Sequence, residues 1–97
     1  MEDERFQEAI RLLEDTCEFP CEFQFKIIGS HKNDFVQRVV TAVQDALEMQ
    51  EEPSFRTRET PNGRHVSVTL EPLVSSAADV LKTYERLREI EGVVMLL

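Results

Sequence analysis

The chain has 97 residues, with 19 acidic against 11 basic side chains and a net charge of −8. That length admits one domain with one modest core and no deep cleft, and the negative balance repels phosphate backbones and anionic membrane surfaces at long range. The longest apolar run, Val93 to Leu97, is far too short to span a bilayer, and the acidic start Met1-Glu2-Asp3-Glu4 is unlike a signal peptide, so the expectation is a cytoplasmic protein with no membrane or nucleic-acid partner.

Residues 3–14 read as a short helix, because Phe6, Ile10 and Leu13 recur at helical spacing with Ala9 and Leu12 beside them. Phe19-Pro20 then opens a segment that alternates. Cys21, Phe23, Phe25 and Ile27 fall on one side, and Glu22, Gln24 and Lys26 on the other. A period of two predicts a strand with one buried face, ending at Gly29. The loop Ser30-His31-Lys32-Asn33-Asp34 is rich in capping residues, with Asn33 the expected N-cap and Asp34 in the positive first turn. The helix that follows runs to about Met49, with Phe35, Val36, Val39, Val40, Val43, Ala46 and Leu47 as its apolar stripe and Arg38 among the water-facing residues.

Pro53 turns the chain into a charged strand over residues 54–60, suited to a sheet edge. Asn62-Gly63 is a strong hairpin signal. The return strand, Arg64 to Leu70, places Val66, Val68 and Leu70 on one face and His65, Ser67 and Thr69 on the other, and Pro72 stops it. Ser76 with Asp79 three residues on approximates a capping box for a last helix carrying Val80, Tyr84 and Leu87, and Gly92 is placed as its left-handed C-cap. Val93 to Leu97 is a terminal apolar strand.

The order after the first helix is β-α-β-β-α-β. This is an α+β arrangement, the ferredoxin-like sandwich: a four-stranded antiparallel sheet with two helices on one face. The first helix, residues 1–16, is an N-terminal extension; residues 17–97 are the domain. The uncovered sheet face, with Glu22, Gln24, Lys26, His65, Ser67 and Thr69, is polar enough to stay in water or to receive a partner or the first helix.

These pieces together resemble a known family. The chain is similar to the small bacterial proteins of unknown function typified by YbeD, whose fold is similar to the ACT regulatory domains. The resemblance spans residues 17–97. It rests on Phe19-Pro20, Phe23-Gln24-Phe25-Lys26 leading to Gly29, the Val-rich helix, Asn62-Gly63, Ser67-Val68-Thr69, Tyr84-Glu85-Arg86-Leu87 and the apolar ending. It departs at His65, where family members often carry an aromatic residue. The family has no established catalytic residues to carry over.

The residues themselves offer no catalytic, metal or cofactor motif. The histidines His31 and His65 are isolated, and Cys17 and Cys21 read as free thiols, with Cys21 buried. A non-enzymatic regulatory or interaction domain is therefore expected. ACT-type domains bind effectors near the loop between first strand and first helix, so the resemblance implies a small carboxylate or amino acid at Gly29, Ser30, His31, Asn33 and Asp34. The alternative is a homodimer or another protein partner on the sheet, through Gln24, Lys26, His65 and Ser67 or through an edge strand.

Overall fold

The structure, a computed structural model, describes residues 2–97, with side chains from Glu4 onward. In chain order the elements are α1 (Glu2–Thr16), β1 (Cys21–Glu22), β2 (Phe25–Ser30), α2 (Phe35–Ala46), β3 (Phe55–Glu59), β4 (His65–Leu70), β5 (Leu73–Val74), α3 (Ala77–Arg88) and β6 (Val93–Leu96). The fold is α+β, with three helices and antiparallel sheets. A four-stranded sheet runs β3-β4-β2-β6, and β1 and β5 form a separate two-stranded ribbon. This order is compatible with the ferredoxin-like sandwich.

The core forms where the apolar sides of β2 and β4 meet α2 and α3. Phe25, Ile27, Val66, Val68 and Leu70 are fully buried against Phe35, Val39, Val40, Val43, Val80 and Leu87. Phe23, Phe25 and Tyr84 form an aromatic cluster with ring centroids 5.1 to 6.3 Å apart, each pair tilted or edge-on, a geometry worth about 0.5–1.5 kcal/mol per pair beyond area burial. Ser76 caps α3 as its spacing predicts, accepting a hydrogen bond from the Asp79 N–H. Thr83, deep in the same helix, donates to the Asp79 carbonyl at 2.8 Å, which makes its burial tolerable.

Several expectations are corrected. The strand expected from Cys21 onward breaks at Phe23-Gln24. Cys21 pairs with Val74 and Phe25 with Leu70, so both halves keep one register line. On that line Phe23 meets Pro72, which has no N–H to give. One rung survives, from the Phe23 N–H to the Pro72 carbonyl. Cys21 is therefore half-buried near a ribbon end and not in the core.

Gly29 does not end the strand; it lies inside β2 at a register shift against β6. α2 stops at Ala46, not Met49, because Glu48 turns left-handed at φ 52°. Asp34, not Asn33, is the N-cap, and it caps through backbone alone at φ 56°. Gly92 has the expected positive φ, 97°, but α3 has already ended at Arg88. It sits instead in the Ile90–Val93 turn, at the third position, where a type II turn needs glycine.

α1 packs against α3 and leaves the open sheet face bare. Leu13 reaches the margin of the core, while Phe6 and Leu12 stay exposed.

Gly29 is a steric requirement. A Cβ there would strike the Phe35 ring and lie 2.7 Å from the Gly92 carbonyl oxygen. Gly29→Ala should cost about 1–3 kcal/mol by overpacking, read from the urea midpoint. In a Phe35→Leu background the same change should cost distinctly less; an equal cost would mean the ring is not the obstacle.

Candidate functional site

The loop between β2 and α2 is built by a tight exit from the sheet. The Ser30 N–H donates to the Gly92 carbonyl, the His31 N–H to the Arg64 carbonyl and the Lys32 N–H to the Ser30 carbonyl. Asn33 and Asp34 then both adopt left-handed backbone, at φ 53° and 56°. Such successive residues are uncommon, and Asn and Asp tolerate the conformation best. The Phe35 N–H closes the turn onto the Lys32 carbonyl at 3.1 Å.

Arg38, read from sequence as solvated, holds this loop. Its Nε donates to the Asn33 carbonyl at 2.9 Å and its Nη1 to the Glu91 carbonyl at 3.0 Å, while its guanidinium lies 5.8 Å from the Phe35 ring centroid. One side chain thus ties the loop to the turn before β6. No spacing rule marks such a residue, because its partners are backbone carbonyls on two other segments.

Of the expected effector residues, Ser30, His31, Asn33 and Asp34 do lie together at this end. Gly29 stands apart: Phe35 and Gly92 fill the space beside its Cα, so it offers no open backbone. His31 is exposed, with its Nδ1 3.4 Å from Glu59 on β3, and an exposed pair of this kind contributes at most about 1 kcal/mol.

The sheet-face residues form a second grouping. Directly opposed residues share a face, and two rows cross the uncovered side. One is Arg56, Thr69, Lys26; the other is Arg58, Ser67, Ile28, Met95. Gln24, Lys26, Arg56, Arg58, Ser67 and Thr69 line one shallow depression. Gln24 belongs to the break between β1 and β2, and His65 lies one row beyond, opposite Ser30.

Cys17 and Cys21 are free thiols. Partial desolvation, then the neighbouring Cys17 thiol, pushes Cys21 above its ordinary value, the direction that lowers reactivity. Burial likewise raises the Tyr84 phenol, whose hydroxyl donates to the Leu97 carbonyl at 3.2 Å. Among the described residues no cluster of three His, Cys, Asp or Glu side chains is placed to hold a metal, and no helix is long and apolar enough to cross a membrane.

Residues 14–97 match the model of a family described as "Protein of unknown function (DUF493)". The chain belongs to the DUF493 family. Curated relatives agree. A UPF0250 protein of Shewanella piezotolerans is 35% identical over 80 residues, covering 82% of this chain and 89% of the relative. A UPF0250 protein of Pasteurella multocida is 33% identical over 85 residues, covering 88% and 94%. The resemblance to YbeD-like proteins of unknown function is thereby shown, and the DUF493 match begins inside α1.

In this DUF493 chain the Arg38 clamp has a measurable consequence. Arg38→Met keeps the aliphatic stem and removes the donors. It should cost about 1 kcal/mol and speed amide exchange selectively at residues 31–34 and 91–93. Unchanged exchange at both segments would refute the clamp.

Proposed function

We propose that this chain is a non-enzymatic, cytoplasmic interaction module that receives a protein partner on the open face of its four-stranded sheet. The reading takes the fold as an ACT-like ferredoxin sandwich, which the strand order supports, with residues 1–16 as an extension and residues 17–97 as the domain. One observation carries it. α1, the segment available to cover the sheet, packs on α3 instead, and the rows through Lys26 and Ser67 stay uncovered. Ile28 is half-exposed there, and Met95 is 48% exposed in the same row. A photo-crosslinking amino acid at Ser67 should capture a discrete protein in cells, while the same group at Thr41 on α2 should not. Equal labelling from both positions, or none from Ser67, would remove the reading.

A second reading, a small carboxylate or amino-acid effector at Ser30, His31, Asn33 and Asp34, is favoured by the two consecutive left-handed residues. Unusual backbone held firmly in place is a recurrent feature of ligand clamps. Opposing it, the Ser30, His31 and Lys32 N–H groups are already bonded. A thermal-shift screen with amino acids and small carboxylates should then show a rise that His31→Ala and Asn33→Ala abolish. A flat screen would leave the sheet face as the sole candidate.

A further inference from the structure

Resting on the sheet-face reading, the charge distribution identifies the partner's chemistry. We infer that the open face docks an extended acidic segment of another protein, with Lys26, Arg56 and Arg58 receiving its carboxylates and Ile28 and Met95 receiving an apolar side chain.

The whole chain carries a net charge of −8, yet the depression on this face gathers three cations, Lys26, Arg56 and Arg58. Adjacent strands lie about 4.8 Å apart and alternate residues on one strand about 7 Å apart, so Arg56 stands about 7 Å from Arg58 and about 10 Å from Lys26, with Lys26 and Arg58 about 12 Å apart. Arg56 alone has a carboxylate, Glu71, at 3.0 Å. Among the described residues neither Lys26 nor Arg58 is ion-paired. Like charges this close repel, and an incoming anion relieves the repulsion while gaining attraction to each.

The remaining side chains favour a peptide. Ser67, between the cations, has a hydroxyl that donates to the Arg58 carbonyl and can still accept from an incoming main-chain N–H, while Thr69 is buried beneath them. Arg58, Ser67, Ile28 and Met95 lie in one row, so cation and apolar surface are set side by side. An extended segment alternating acidic and apolar residues matches that layout. RNA fits poorly, because no aromatic ring occupies these rows for base stacking and the acidic body opposes a phosphate backbone.

The test uses the full chain and a fluorescein-labelled peptide alternating glutamate with valine, beside its glutamine counterpart and an RNA oligonucleotide. Anisotropy should show binding of the glutamate peptide alone, weakening as salt rises. The double variant Lys26→Glu/Arg58→Glu, checked for folding by circular dichroism, should lose about tenfold in affinity. If it fails to fold, Lys26→Gln and Arg58→Gln taken singly should each weaken binding by about threefold. Equal binding of both peptides, preference for the RNA, or binding indifferent to these changes would overturn the inference. If the Ser67 crosslink persists undiminished in the double variant, the sheet-face reading stands and the acidic partner does not; loss of that crosslink in the folded variant supports both.

Discussion

The arrangement of the loop between β2 and α2 depends on a missing side chain. Gly29 lies in the middle of the sheet, and the Phe35 ring fills the space its Cβ would need. Because the ring sits there, α2 must begin directly over β2. Because α2 begins there, the chain has only the short loop after Ser30 to reverse direction. The left-handed backbone at Asn33 and Asp34 is the geometric result, and Arg38 secures it by reaching the carbonyls of Asn33 and Glu91. The Gly92 carbonyl completes the enclosure and accepts the Ser30 N–H. The glycine that sequence placed at the strand's end is instead held inside it, between the Phe35 ring and the Gly92 carbonyl.

Much of the fold was legible because period and punctuation agreed. The strand Val66, Val68, Leu70 alternates in sequence, and its burial follows that alternation except at Thr69, which is buried as well. The stripe from Phe35 to Ala46 repeats at helical spacing and is buried at that spacing. Ser76 and Asp79 stand at capping distance and do cap. What escaped the reading depends on partners distant in the chain. The break at Phe23 follows from Pro72 across the ladder, and a strand cannot be read as interrupted until its neighbour's register is known. Arg38 bonds to carbonyls, which have no sequence signature. α1 docks on α3 with little burial, so its apolar spacing did not reveal which layer it would join.

The sheet-face candidates were legible as a set but not as a surface. Lys26 and Ser67 are far apart in sequence, and Arg56 and Arg58 read only as charges on an edge strand. Registration across β3, β4 and β2 brings them onto one depression. The polar face of an amphipathic sheet is commonly mixed in charge. Here Glu71 pairs with one arginine and Glu22 lines the adjoining depression, at the margin of a basic cluster on an acidic molecule. The loop candidates followed the opposite course: they cluster as expected, but much of their hydrogen-bonding capacity is already used within the fold.

The two margins of the sheet differ in a way that bears on assembly. β3 is exposed along its whole length and carries Arg56, Arg58 and Glu59, so a neighbouring strand meets charge at three of its five residues. β6 presents Val94 and Met95, 61% and 48% exposed. A second copy joining through β6 by a twofold axis would leave only the two charged β3 margins outermost. Lateral growth would halt at that pair, so the fold's own asymmetry makes such association self-limiting and keeps it from extending into fibres.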